Sequence, residues 1–173
     1  MKNQCIVAIL LVLGQCAFAQ DGSAAALGAG AEMNMNAHKY FAGGAVLGLD
    51  FTLPHSFAIG VLGTASFNTA LTAIEAAAML RRYFGSKGFF MQADAGALFY
   101  MEDMYRDGTI RAMFSGGLRT GFRLPYSAQA WYIEPYARGG YPFIFSVGVV
   151  AGVRFFHKEQ AQEQELEGAG INR

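Results

Sequence analysis

Charged residues are scarce in this chain of 173 residues: they make up 15% of it, against 53% hydrophobic residues, and the formal net charge is zero. So few charges cannot cover the surface of a soluble domain of this length, which implies that part of the surface meets something other than water. A balanced charge also lacks the basic stripe with which a protein displaces phosphate counterions, so nucleic acid is not an expected partner. Cysteine is almost missing. Cys5 and Cys16 are the only two, both near the start, and the body of the chain therefore has no disulfide framework. His38, His55 and His157 are the only histidines and none stands at ligand spacing, so no metal or other cofactor is expected. Gly116-Gly117 and Gly139-Gly140 lack the following helix and lysine of a phosphate loop. Long apolar runs are lacking too: the nearest approach to a membrane-spanning helix, Ser56 to Leu80, is interrupted by Asn68 and Glu75, which leaves a helical hairpin as the alternative there.

What is present begins with a leader. Lys2, an apolar run from Cys5 to Leu13 that is too short to span a bilayer, and Ala17-Phe18-Ala19 form a secretory signal peptide over residues 1–19, cleaved after Ala19. Leu13-Gly14-Gln15-Cys16 offers a competing lipidation site at Cys16, with Gln15 a poor residue before such a cut. The body, residues 20–156, then alternates with period two rather than 3.6. Eight segments result: Ala24–Asn34, Tyr40–Phe51, Phe57–Phe67, Thr72–Phe84, Phe89–Met101, Arg111–Leu124, and two strands between Trp131 and Phe155 around Gly139-Gly140-Tyr141-Pro142. In Thr72–Phe84 the run Ala73–Arg82 is rich in helix formers, and propensity alone favours helix. The alternation of Ile74, Ala76, Ala78 and Leu80 with Glu75, Ala77, Met79 and Arg81 makes it a strand. Glu102–Thr109 reads as a solvated loop and residues 157–173 as an acidic periplasmic tail.

Within the eight segments the charges fall on one parity: Glu32, Asp50, Glu75, Asp94 and Glu134 with Arg81, Arg111, Arg119, Arg123, Arg138 and Arg154. On the opposite parity only Arg82 appears, beside the turn at Gly85. One nearly charge-free face and one nearly balanced face are what a closed barrel in lipid requires, because each unpaired backbone group at an open sheet edge costs several kcal/mol where no water can reach it. The expected fold is all-β, an eight-stranded antiparallel transmembrane up-and-down barrel, and its lumen is a packed ion-pair ladder. Aromatics near segment ends, among them Phe51, Phe57, Phe84, Phe122, Trp131 and Phe143, suit two interfacial girdles.

This pattern, with the hairpin Tyr132-Ile133-Glu134-Pro135-Tyr136-Ala137-Arg138-Gly139-Gly140, resembles the small eight-stranded outer-membrane barrels of the OmpX, OmpW and opacity-protein type and is similar to small barrels of spirochaetes. The resemblance implies residence in the outer membrane of a diderm bacterium, with the lipid bilayer and the outer-membrane assembly machinery as partners. Val153-Arg154-Phe155, with Gly148 upstream, resembles the last-strand assembly signal, although 18 residues follow Phe155. A structural or surface-interaction role, toward a host component, is the leading reading and carries no enzyme activity. The OmpW likeness implies an alternative, a narrow transporter of small apolar ligands with a lateral opening at Pro135, where proline weakens the ladder. A lipid-modifying enzyme is third; its Ser-His pair would have to be His55-Ser56, which reads as part of the turn Leu53-Pro54-His55-Ser56 and whose two residues would point apart in a strand.

Overall fold

Alternation is realised as eight antiparallel strands in the computed structural model, which describes residues 25–36, 41–68, 71–85, 88–102, 110–125 and 130–155. In chain order these are β1 (Ala25–Asn36), β2 (Phe41–Leu53), β3 (Phe57–Phe67), β4 (Leu71–Phe84), β5 (Phe89–Glu102), β6 (Arg111–Phe122), β7 (Trp131–Tyr141) and β8 (Phe143–Phe155). Each strand pairs with its sequence neighbours, and β1 pairs with β8, so the sheet closes on itself and has no edge strand. The leader with Cys16, the tail, His38, Tyr40, His157 and loop residues 103–109 lie outside the described residues.

The helix-forming run is a strand. β4 is registered along its whole length, Arg82 to Thr72 against β3 and Phe84 to Leu71 against β5, and the helical hairpin is thereby excluded. Here two continuous ladders and an apolar face outweigh alanine's preference, which amounts to less than about 1 kcal/mol per residue. The β2–β3 turn, Pro54–Ser56, is exposed and puts His55 and Ser56 at positive φ, 62° and 64°. The β4–β5 turn uses Gly85 and Gly88, also at positive φ, where glycine is unstrained.

Side chains on one parity face outward: Leu27, Met33, Leu47, Ile74, Leu80, Leu118, Val149 and Val153 are all exposed, although apolar. Aromatic residues mark both rims. On β3, Phe57 and Phe67 stand ten positions apart, which at about 3.3 Å per residue and about 40° of tilt places the two belts roughly 25 Å apart. At the proximal end, where Ala25 and Phe155 lie, Phe84, Phe89 and Phe122 form a run of ring contacts with centroids 5.9 and 5.3 Å apart. Phe143 departs from the expected girdle. A bulge opposite Met35 and Asn36 sets Ile144 and Phe145 outward in succession and turns Phe143 into the lumen.

The lumen is filled by side chains laid across glycines. Tyr132 and Tyr136 of β7 pair with Gly152 and Gly148 of β8. A Cβ added at Gly148 would stand 2.5 Å from the Tyr136 hydroxyl oxygen, and one at Gly152 the same distance from that of Tyr132. These glycines are therefore the seats of the two rings, an aromatic covering of glycine that also fixes register.

A candidate functional site: the charged lumen

Toward the proximal end four charges converge from β2, β4, β7 and the residue after β6. Arg81 grips Glu134 with both arms, Nη1 to Oε2 and Nη2 to Oε1, each 2.8 Å. Arg123 donates from Nε to Glu134 at 2.8 Å and from Nη2 and Nη1 to Asp50 at 2.6 and 3.2 Å. Asp50 also lies 3.7 Å from Arg81. The remaining Arg81 donors reach Gln92 at 3.0 and 2.7 Å and the Tyr83 hydroxyl at 3.1 Å. Aromatic faces cover both guanidiniums, Phe90 at 4.2 Å from Arg81 and Tyr132 at 4.2 Å from Arg123. Two acids and two bases cancel, and bidentate geometry is what repays their desolvation.

Further in, Arg138 bridges two strands, meeting Glu75 at 2.9 and 2.6 Å and Asp94 at 2.5 Å. Glu32 accepts from the Tyr136 hydroxyl at 2.7 Å and from Asn34 Nδ2 at 2.8 Å. Arg119 lies over the Tyr136 ring at 4.0 Å, with Nη2 4.0 Å from Glu32. Its Nε and Nη2, together with Asp94 Oδ1, find no hydrogen-bond partner among the described residues. This group is looser than the proximal one. Beyond it Ala73, Leu98 and Phe143, with Tyr100 and Met113 packed against them, fill the distal lumen with apolar atoms.

Of the residues expected in the charge network, Glu32, Asp50, Glu75, Arg81, Asp94, Arg119, Arg123, Glu134 and Arg138 are buried and brought together. Two are not part of that buried set. Arg111, the first residue of β6, is exposed at the distal rim, where β6 runs beyond the part of it that pairs with β7. Arg154 is half-buried at the proximal end, donating to the Pro125 carbonyl at 2.7 Å. Asn34, Tyr83, Gln92, Tyr132 and Tyr136 belong to the network but carry no charge, so a search for charges passes over them. Their inward parity was the signal.

Pro135 faces outward in β7. The β6–β7 ladder holds from Gly116↔Tyr141 to Gly121↔Tyr136, lapses beside Pro135, and resumes at Leu124↔Ile133 with bonds of 2.8 and 2.6 Å. The partner numbers have the same sum on both sides of the lapse, so the missing N–H removes a rung without shifting the register. The seam is thus bridged on both sides of Pro135. Gly148 faces the lumen beneath Tyr136, while Val153 and Phe155 point outward on β8. Among the described residues no group of His, Cys, Asp and Glu is suited to a metal ion.

A closed eight-stranded antiparallel barrel with an apolar wall and a charged, filled lumen has the fold of the small outer-membrane β-barrels. Among solved structures the chain is similar to Neisserial surface protein A, at 13% identity and a TM-score of 0.56, covering 80% of this chain and 98% of that one. It is also similar to the N-terminal β-barrel domain of Pseudomonas aeruginosa OprF, at 13% identity and a TM-score of 0.53, covering 78% of this chain and 100% of that one. Ail, the attachment invasion locus protein of Yersinia pestis, matches at 12% identity with a TM-score of 0.48, over 78% of this chain and 98% of that one. No model of a known protein family matches the chain, and no curated protein does.

Proposed function

We propose that the chain is an integral outer-membrane barrel with a structural or surface-interaction role, exported by cleavage after Ala19 and non-catalytic. The observation that carries this reading is the proximal cluster, in which Arg81, Arg123, Asp50 and Glu134 are joined across the lumen by bonds of 2.6–3.2 Å. With Phe143 and its neighbours at the distal level, it supports a braced interior in place of an aqueous pore. In this reading the proximal end, where the described chain begins and ends, faces the periplasm together with tail 157–173, and the assembly machinery reads Gly148, Val153 and Phe155 on the last strand. The distal end faces outward. Apart from the link between Glu102 and Arg111 its connectors are short, so contact with a host component would draw on the rim, including exposed Phe41, Phe114 and Tyr141, and on that one longer connector.

Planar-bilayer recording of the refolded full chain tests the reading: silence is the expected result, and discrete conductance steps would overturn it. A second reading, a narrow route for small apolar molecules with a lateral exit, draws support from the β6–β7 seam. That seam has the shortest paired ladder of the wall, and residues 111–115 of β6 extend past it. Uptake of an apolar dye into barrel-containing vesicles, above that of empty ones, would favour it.

A further inference from the structure

Arg82 is an exposed charge on the outward parity of the wall, a position that the buried network does not explain. It lies on β4 directly opposite Phe57 of β3, and its guanidinium carbon is 5.3 Å from the Phe57 ring and 5.2 Å from the Phe84 ring. Its cross-strand neighbour on the other side is the apolar Met91. Among the described residues no carboxylate forms an ion pair with it, and the groups its guanidinium meets are the two aromatic faces. The rings sit in the proximal belt that continues through Phe89 to Phe122. A guanidinium has five donors in a planar fork that suits a phosphate, and aromatic faces occupy none of those donors.

We propose that Arg82, Phe57 and Phe84 form a binding site for the phosphate of a phospholipid headgroup at the proximal membrane interface. The proposal rests on the membrane reading above and adds a ligand to it. The belt fixes the depth: about 25 Å separates the two aromatic rims, so a side chain at the proximal one meets headgroups rather than acyl tails. Charge fixes the class, since a cation that has no carboxylate partner among the described residues of an apolar wall is complemented by an anionic oxygen. The rings hold the guanidinium in place, so that the lipid meets a pre-oriented fork. The source is the surrounding bilayer, whose acyl chains can lie against Leu80, which shares the outward face of β4 with Arg82.

The experiment is native mass spectrometry of the refolded full chain released from detergent, titrated with phosphatidylglycerol or with monogalactosyl diacylglycerol of the same acyl chains. Heat-modifiable gel migration first establishes that each sample is a folded barrel. The wild-type barrel is expected to retain one phosphatidylglycerol at collision energies that strip the galactolipid. Arg82→Gln is expected to lower that retention at least fivefold, Arg82→Lys to lower it less, and millimolar inorganic phosphate to leave it unchanged. Equal retention of the two lipids by the wild type overturns the proposal without recourse to any variant. Undiminished retention in a folded Arg82→Gln barrel, or displacement of the lipid by inorganic phosphate, overturns it as well. Absence of heat-modifiable migration in the wild type removes the membrane reading itself, a result distinct from a folded barrel that ignores the phosphate.

Discussion

Removing Glu134 alone should be far more damaging than removing it together with Arg81. Glu134→Leu keeps the volume but deletes three charge-assisted hydrogen bonds and leaves Arg81 and Arg123 facing Asp50, one net positive charge in a sealed interior. Breaking a buried pair from one side costs about 3–5 kcal/mol. Arg81→Met alone should cost a similar amount with the opposite sign of residual charge. In the double variant Arg123 and Asp50 remain as a neutral pair at 2.6 and 3.2 Å, and what is lost is mainly the partner of Gln92 and Tyr83, worth about 1–3 kcal/mol. The double variant should therefore be no less stable than either single one, a coupling of at least about 3 kcal/mol. Urea-dependent folding into lipid vesicles measures this, followed by gel migration and by the emission of Trp131, the only tryptophan, exposed on the outer wall. A double variant whose loss equals the sum of the single losses would refute the reasoning, because the charges would then be acting independently.

Val149→Arg, which puts a charge on the outer face between the rims, should cost about 2–4 kcal/mol and block stable insertion, scored as the folded fraction on gels. Arg119→Ala should destabilise the barrel with unchanged far-ultraviolet dichroism, since Glu32 keeps its bonds from Tyr136 and Asn34 but loses the nearby cation. Gly148→Val should displace Tyr136 from its seat and cost about 1–3 kcal/mol by overpacking, with Gly43→Val, which meets open space, as the control in the same urea titration. Pro135→Val restores an N–H at the lapsed rung beside β6 and should stabilise by about 1 kcal/mol; a loss of stability there would argue that proline is accommodated by some other feature of the seam.

The wall was legible because period two is a local property: each of Leu27, Ala29 and Ala31 declares its face by its neighbours alone. Even β4 could be read this way against its helix propensity. What local pattern cannot carry is an interruption of its own rule. The extra residue at Ile144 and Phe145 reverses the parity of Phe143, and nothing in an apolar Phe-Ile-Phe run marks where the bulge falls. Strand-to-strand offsets are equally hidden, since they depend on pairing partners. The offset between β6 and β7 puts Arg111 at the rim, although its parity matches that of Arg119. In the lumen, charge identified the members but not their partners. That Arg81 would meet Glu134 rather than Asp94 follows from the register and tilt of strands far apart in sequence.

The seam between β1 and β8 joins the first and last of the described strands, and Tyr136 reaches Glu32 across 104 positions of sequence. Every other adjacent pair can zip as soon as a hairpin exists, but this one waits for the final segment to arrive. Until then the growing sheet presents two bare margins and a half-neutralised interior. Biogenesis must therefore shelter an unfinished cylinder, and a product shortened within its last strand would stay permanently ajar.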